Sequence, residues 1–357
     1  MKKLSLFLCI CLVVGLLSGC VGTTVVYHET CTCPVETQPA EPAPSETEPV
    51  AADHAAVKTG LYIGTNISGS ANAAAEETGM ADFDVTLVAV TVDDNGVITS
   101  CVIDSLGTSV AFDANGVITS DVNAGISTKN ELGEAYGMKL YAGAKYEWNE
   151  QAAAVAAYAV GKTAEQLRSG AVNEAGKAAD ADLASVATIY IGGYVNGIIA
   201  AAENAQHLGA KSGDVLKLAA MPSVKSSTSA DGENAGLAQL DMDVTALTMN
   251  GDVITSCVID SLQAKVAFTA EGVAEIPASF ATKNELGEAY GMKAWGGATY
   301  EWNEQAANFA AYVTGKTAAE VAGIAIDETT KPTDADLSAS VTISIGGFLA
   351  LIAKAAQ

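Results

Sequence analysis

One string of twelve residues occurs twice in this chain and contains side chains that could bind a ligand. TKNELGEAYGMK stands at 128–139 and again, unchanged, at 282–293. Each copy ends in an aromatic ring, a thioether and an ammonium group: Tyr136, Met138 and Lys139, then Tyr290, Met292 and Lys293. Such a trio could line a flat apolar ligand and meet its negative end. Tyrosine and methionine could equally pack a core while lysine is solvated, and both interpretations stay open.

A pair of carboxylates also recurs. Glu147 and Glu150 flank a Trp-Asn pair, and Glu301 and Glu304 repeat the arrangement. Carboxylates at i and i+3 share one helix face, where they could hold a cation or act in acid/base catalysis. Acidic residues are also favoured in the first turn of any helix by its dipole. We favour this structural interpretation.

A Gly-Lys-Thr string at 161–163 and 315–317 suggests a phosphate-binding loop. A Walker A loop requires a glycine five positions before the glycine of GKT, where Ala156 and Ala310 stand. An amphipathic helix, rather than a buried strand, precedes the string. The string therefore predicts the end of one helix followed by the N-cap of the next.

Composition excludes several classes of function. The chain has 18 Lys+Arg against 42 Asp+Glu, a net charge of −24, so nucleic acid is not expected as a partner. The three histidines, His28, His54 and His207, lie outside the repeated parts. Ser-His-Asp and Cys-His catalysis and most zinc chemistry are thereby removed from the repeated parts. We expect no hydrolytic enzyme and leave open a role as a redox carrier.

The N-terminus reads as a targeting signal. Lys2 and Lys3 precede an apolar stretch at 4–17, followed by the string LSGC that ends at Cys20. This pattern predicts a secretory signal peptide over 1–19. LSGC resembles a bacterial lipobox, which implies that Cys20 is diacylated. Two acyl chains would anchor the protein to the extracellular face of the bacterial cell membrane.

Residues 20–57 are rich in proline and glutamate and predict a disordered stalk. Such a chain is extended and would lift the rest of the protein into the cell wall. Cys31 and Cys33 lie in the stalk, where we favour stray thiols over a disulfide, a soft-metal site or a redox pair. Cys101 and Cys257 occur once per repeat among β-branched residues, which is typical of small buried side chains.

The repeat predicts two modules, at 58–203 and 211–357. In the first, β-branched runs at 83–91 and 97–104 flank Asn95-Gly96, a hairpin signal, and a third strand is predicted at 109–112. The second module repeats these strands at 240–249, 253–260 and 265–268.

Helical signals follow the strands in each module. Thr-x-x-Glu or Thr-x-x-Gln capping boxes begin at Thr128, Thr163, Thr282 and Thr317. Apolar residues at helical spacing follow Trp148 and Trp302, and each module closes with a β-rich stretch and an apolar helix. We predict an α+β fold of two tandem homologous domains, each an antiparallel meander sheet with helices packed on one side.

The order of these features resembles the FMN-binding domain of flavin-carrying respiratory subunits and Gram-positive surface lipoproteins. NGVI at 95–98 is similar to the family's strand motif, and GK at 161–162 and 315–316 to its helix end. DLSASVT at 336–342 is similar to its flavin-attachment motif, as is DLASVAT at 182–188 more distantly. The whole chain resembles tandem-repeat lipoproteins of the "major membrane immunogen" type.

The resemblance implies a site for FMN in each module. The position of the family's flavin-accepting threonine holds Ser340 or Val341, which favours non-covalent binding. The implied phosphate ligands are Ser338, Ser340, Thr342, Ser185 and Thr188. The implied ring and charge contacts are Tyr136, Met138, Lys139, Tyr290, Met292 and Lys293. No metal site is expected.

These features together predict a membrane-anchored extracellular lipoprotein whose FMN-binding-like modules pass electrons to a redox partner. The alternatives are a non-catalytic surface spacer or adhesin, and a solute-binding lipoprotein without flavin. Binding of FMN would favour the first function, and a ligand-shaped pocket lined by the same residues in both modules would count against a pure spacer.

Overall fold

A computed structural model describes residues 54–357. The predicted signal peptide, the lipidation site Cys20, Cys31, Cys33 and nearly all of the stalk lie outside the described residues. Near the start of the described chain, the Val57 amide donates to the carbonyl of Ala210 (3.0 Å), which lies between the two halves of the sequence. Within 54–357, none of the helices has the length and apolar content needed to cross a bilayer.

The strands form two antiparallel sheets that follow the chain order. The first sheet contains three strands: β1 (Lys58–Asn66), β2 (Gly79–Val92) and β3 (Ile98–Phe112). The second contains four: β4 (Val215–Ser223), β5 (Gly236–Asn250), β6 (Val253–Phe268) and β7 (Ala274–Glu275). The α+β class and the meander topology of the strands are therefore confirmed.

Two strand predictions were wrong. The segments 97–104 and 109–112 belong to one continuous strand, β3, and 253–260 and 265–268 likewise belong to β6. The polar step at Asp104 resembles a strand end in the sequence, but its Oδ1 accepts from the amides of Ser105 (2.8 Å) and Asn130 (3.0 Å). With that carboxylate satisfied, the strand continues. The third strand of each sheet is instead β1 or β4.

The described residues include twelve α-helices. Those of the first half are α1 (Lys129–Leu132), α2 (Met138–Ala142), α3 (Trp148–Ala159), α4 (Ala164–Gly170), α5 (Ala181–Val186) and α6 (Gly192–Glu203). Those of the second half are α7 (Lys283–Leu286), α8 (Met292–Gly296), α9 (Trp302–Val313), α10 (Ala318–Ala322), α11 (Ala335–Ser338) and α12 (Gly346–Ala355). The β-rich stretches predicted before α6 and α12 form no strand.

The predicted capping boxes are confirmed. Thr128, Thr163, Thr282 and Thr317 each accept from the amide three residues on, and the acidic or amide side chain there bonds back to the threonine amide. The GKT strings behave as predicted: α3 and α9 stop just before them, and Gly161 and Gly315 adopt φ of 82° and 86°. A glycine is needed there because other residues rarely adopt positive φ.

The two sheets pack face to face and the helices cover their outer faces. Alternate residues of β2 and β5 point in opposite directions, so Leu87 and Val244 join the core between the sheets while Val88 joins the core beneath α3 and α6. At the centre, the rings of Phe112 and Phe268 stack with centroids 4.1 Å apart and planes 2° from parallel. The layers therefore run helices, sheet, sheet, helices.

The two halves repeat the same order of elements, yet they form one compact unit. The shared core between the sheets belongs to neither half alone. Hydrogen bonds also cross between halves, from Thr59 Oγ1 to Ser256 Oγ (2.7 Å) and from the Ala230 amide to the Gly116 carbonyl (2.8 Å). Two separate domains are not confirmed.

Candidate functional site

The repeated acidic pair has a structural role. Glu147 is buried, and its two carboxylate oxygens accept the amides of Met138 (2.8 Å) and Lys139 (3.0 Å), at the start of α2. Glu301 does the same for Met292 (2.8 Å) and Lys293 (3.1 Å). These carboxylates satisfy helix-end amides that would otherwise lack partners. Glu147 and Glu301 are therefore already used by the fold.

The lysines of the repeated string are paired. Lys139 Nζ lies 2.6 Å from Glu150, and Lys293 Nζ lies 2.6 Å from Glu304. The hydrogen bond from Lys139 lowers the pKa of Glu150, and the same bond raises the pKa of Lys139. Each ammonium already has an anionic partner within its own half, so neither is free to meet a phosphate without giving up that contact.

The tyrosines of the string lie beside a lysine and a tryptophan. Lys129 Nζ is 5.3 Å from the ring centroid of Tyr136 and 5.3 Å from that of Trp148. In the second half, Lys283 approaches Tyr290 (5.1 Å) and Trp302 (4.8 Å) in the same way. These cation–π contacts connect each copy of the repeated string to the helix that begins with the tryptophan, α3 or α9. Much of the unchanged string thus has an identified structural contact.

A buried glutamine that the sequence interpretation missed joins three segments. Gln151 Oε1 accepts the Thr188 amide (2.8 Å) and the Thr188 hydroxyl (3.2 Å), while Nε2 donates to the Tyr146 carbonyl (3.0 Å) and contacts Met138 Sδ at 3.8 Å. Met138 and Thr188 are therefore brought together. The sequence did contain a signal for this glutamine, because the identity between the halves extends beyond EWNE to EWNEQAA, which includes Gln151 and Gln305.

The second half repeats this arrangement around Gln305. Its Oε1 accepts the Thr342 amide (2.8 Å) and hydroxyl (3.2 Å), and its Nε2 contacts Met292 Sδ at 4.0 Å. Both threonine hydroxyls that the resemblance assigned to a phosphate are thus bonded to a buried amide.

The predicted serines bond within their own helical turns. Ser185 Oγ donates to the Asp182 carbonyl (2.7 Å), Ser338 Oγ to Ala335 (3.4 Å) and Ser340 Oγ to Leu337 (3.5 Å). They lie at or beside the short helices α5 and α11, at the surface or partly buried.

A cavity of about 710 Å³ lies between the two halves, and none of the predicted site residues lines it. One wall is β1 with the segment after α6. The opposite wall consists of β6, the start of α7, and α9. The lining residues are Thr59, Gly60, Leu61, Tyr62, Ile63, Asn204, Gln206, His207, Leu208, Cys257, Val258, Ile259, Asp260, Thr282, Asn284, Glu285, Asn303, Ala307, Ala310, Ala311 and Thr314.

The charged groups of this lining are mostly acidic. It contains the carboxylates of Asp260 and Glu285 and no lysine or arginine. Burial raises the pKa of Asp260 to about 6. Burial and, to a smaller extent, the charge of Glu285 raise the pKa of Tyr62. His207 faces Asp94, with Nε2 2.8 Å from its carboxylate. The cavity is therefore an acceptor-rich site.

The fold fixes these acceptors in place. Asp260 Oδ1 accepts the amides of Ser261 (2.7 Å) and Asn284 (3.0 Å), which holds the start of α7 against β6. Glu285 closes the capping box with Thr282 over 2.8 Å. Asn303 adds a buried Oδ1 that has no hydrogen-bond partner in the structure. These polar groups stand among apolar side chains of β1, β6 and α9.

The remaining chemical candidates are inert or absent. Cys257 is buried in the cavity wall, and burial raises the pKa of its thiol to about 12. Cys101 likewise has a thiol pKa raised to about 12 by burial. In the described part of the chain, no three His, Cys, Asp or Glu side chains cluster as a metal site would require.

Comparison with known proteins adds no family to these observations. No family model matches the chain, and no curated protein and no solved structure matches it. The resemblance to FMN-binding domains stays a prediction.

Proposed function

We propose that this chain is a lipid-anchored binding protein that holds a small molecule in the cavity between its halves on the outer face of the cell membrane. The cavity carries the proposal. Its volume of about 710 Å³ lies in the range of small-molecule sites, and its apolar walls with a few convergent polar groups are typical of them. The LSGC string at Cys20 supports the location.

The two halves are two copies of one duplicated module in this interpretation. The repeated strings and the repeated order of elements support this. Because the order of elements repeats, a residue outside this cavity can serve as the matched control for its equivalent in the cavity wall. Ala307 lines the cavity on the exposed side of α9, and Ala153 holds the equivalent exposed position on α3, outside the cavity lining.

The test uses N-phenyl-1-naphthylamine, a neutral fluorophore that brightens in apolar surroundings. We expect saturable emission with the unaltered protein, loss of that emission in Ala307→Trp, and no change in Ala153→Trp. The added indole fills the cavity mouth in the first variant and faces solvent in the second. Equal emission from both variants, or none from the unaltered protein, would contradict the proposal.

Flavin binding is the second candidate, favoured by the meeting of Met138 and Thr188 around Gln151. An anionic phosphate there would have to displace the amide bonds of Gln151. Titration with FMN at micromolar concentrations, read by flavin fluorescence, tests it. Saturable quenching that Thr188→Val weakens would support the flavin site, since Thr188 is an implied phosphate ligand. Absence of quenching up to tens of micromolar FMN would exclude it.

A further inference from the structure

A lysine of the second half reaches into the first half. Lys354 lies in the last turn of α12, and its ammonium forms an ion pair with Glu131 of α1. The same nitrogen donates to the Ala220 carbonyl of β4 over 2.7 Å. One ammonium thus meets a carboxylate and a backbone carbonyl where the two halves face each other.

The acceptors of Lys354 have equivalents in the cavity. Glu131 and Glu285 are both the fourth residue of a TKNE capping box. Ile63 pairs across the first sheet with Leu87, and Ala220 pairs across the second with Val244. Those partners pair in turn with the repeated aspartates of β3 and β6. Glu285 and Ile63 both line the cavity.

The Ile63 carbonyl points away from its own sheet. Asn204 Nδ2 donates to the Leu61 carbonyl over 2.8 Å from the open edge of β1. Carbonyls alternate in direction along a strand, so those of Leu61 and Ile63 face the same way. The cavity therefore offers a carboxylate and an edge carbonyl in the arrangement that Lys354 satisfies on the other side of the molecule.

The cavity lacks the equivalent lysine. Counting 154 residues back from Lys354, the spacing that relates the two TKNELGEAYGMK strings, gives Ala200 of α6. Both helices begin with Gly-Gly, at Gly192 and Gly346, which fixes the alignment. The first half thus has only a methyl group where the second half has the whole lysine side chain, so the place of the ammonium is left unfilled.

Resting on the proposed function of the cavity, we propose that it binds a primary ammonium group carried on an apolar body, which occupies the place that Lys354 fills in the other copy. The carboxylate of Glu285 and the carbonyl of Ile63 accept its N–H groups. The apolar wall of β6 and α9, which includes Val258, Ile259 and Ala310, covers its hydrocarbon part. With no lysine or arginine in the lining, organic anions are disfavoured.

Three variants test this assignment. The probe is n-hexylammonium, and its binding is measured by calorimetric titration at pH 7.5. We expect one binding site in the unaltered protein. Glu285→Gln keeps the capping box, since glutamine serves there as well, but removes the charge. It should weaken binding by about tenfold or more. Ala200→Lys should abolish binding, because the new side chain fills the site as Lys354 does.

Lys354→Ala gives the opposite change. It frees Glu131 and the Ala220 carbonyl, so the number of hexylammonium sites should rise from one to two. A count that stays at one in a folded Lys354→Ala protein would overturn the equivalence of the two places. Unchanged affinity in both Glu285→Gln and Ala200→Lys would overturn the assignment of the ammonium site. Ala200→Lys adds a side chain at a half-exposed helix position, which leaves that test independent of any loss of stability in Lys354→Ala.

Two further probes separate this inference from the proposed function. n-Hexanol has the same chain without charge, and N,N,N-trimethylhexylammonium has the charge without N–H groups. Both should bind at least tenfold more weakly than hexylammonium. If hexanol binds equally well and Ala307→Trp blocks it, the cavity is a binding site but the ammonium selection is wrong. If neither hexylammonium nor N-phenyl-1-naphthylamine binds, both proposals fail.

Discussion

The buried carboxylate of Asp260 should make the stability of this protein depend on pH in a way that one substitution reveals. Asp260 lies in the cavity wall, 8% exposed, and its pKa is raised from 3.8 to about 6 by burial. The folded state therefore prefers the neutral acid. The favourable contribution of Asp260 to the free energy of unfolding is fully present below the unfolded-state pKa of 3.8 and is lost as the pH rises through about 6.

The size of this effect follows from the shift. A shift of one pKa unit corresponds to about 1.4 kcal/mol, so two units correspond to about 3 kcal/mol lost between pH 4 and pH 7. Asp260→Asn removes this titration and retains an oxygen that can accept the amides of Ser261 and Asn284. Relative to the unaltered protein, the variant should gain about 3 kcal/mol in free energy of unfolding over that range.

The assay is urea unfolding followed by circular dichroism at half-unit steps from pH 4 to pH 7.5. Comparing the variant with the unaltered protein at each pH cancels the constant cost of the new amide and the titration of all other groups. Asp113→Asn serves as a control, because backbone hydrogen bonds from Val117 and Asn115 lower the pKa of Asp113. The difference in unfolding free energy between Asp113→Asn and the unaltered protein should change only below about pH 4, outside the pH range of the assay. A flat difference for Asp260→Asn from pH 4 to 7.5 would refute the raised pKa.

Three further predictions concern the cores and the thiols. Phe268→Ala removes half of the central ring stack and should lower the free energy of unfolding by about 3–5 kcal/mol, measured by urea unfolding; a loss below 1 kcal/mol would contradict a shared core. Gln305→Ala leaves the amides of Thr342 and Ile343 without their acceptor and should cost about 1–3 kcal/mol in the same assay; no loss would show that this amide contact is dispensable. Cys101 and Cys257, with pKa values of about 12, should react with iodoacetamide at pH 8 at least a hundredfold more slowly in the folded protein than in urea, as read by peptide mapping; equal rates would contradict the raised pKa of the two thiols.

Local signals in the sequence predicted local structure well. The capping boxes at Thr128 and Thr282 and the GKT strings specify helix ends within a few residues of themselves. The hairpin between β2 and β3 follows from Asn95-Gly96, where Gly96 has a φ of 80°. Each of these features is decided by neighbours in the chain, so the pattern alone contains the information.

The errors arose where distant contacts decide the structure. Asp104 and Asp260 resemble strand ends in the sequence, but the amides of Asn130 and Asn284 satisfy them from the tips of α1 and α7. The sequence does not show that the two sheets share one core, because alternation along β2 and β5 is compatible with many partners. The cavity was also unpredictable, since the strands β1 and β6 that form parts of its two walls are joined by contacts between residues 197 positions apart in the chain.

Most of the residues that are identical between the halves serve the scaffold, although Thr282, Asn284 and Glu285 of the repeated string also line the cavity. The twelve-residue string and the acidic pair looked like a ligand site because they are unchanged, yet many of their polar atoms bond within their own half, as Glu147 does with the amides of α2. Such contacts occur once in each half, which accounts for the identity of these residues between the halves. A site used once needs only one copy.

The positions that differ are therefore the informative ones. Where the second half reaches Glu131 with Lys354, the first half has Ala200 at the equivalent position of its last long helix, and Glu285 lines the cavity. Where β1 places Tyr62 beside that cavity, the strand register puts Ala219 at the same point of β4. One copy carries its own ammonium and the other leaves the acceptors to be filled. A lysine at position 354 and an alanine at the equivalent position 200 therefore leave Glu131 occupied and Glu285 free, although the scaffold around the two glutamates is the same.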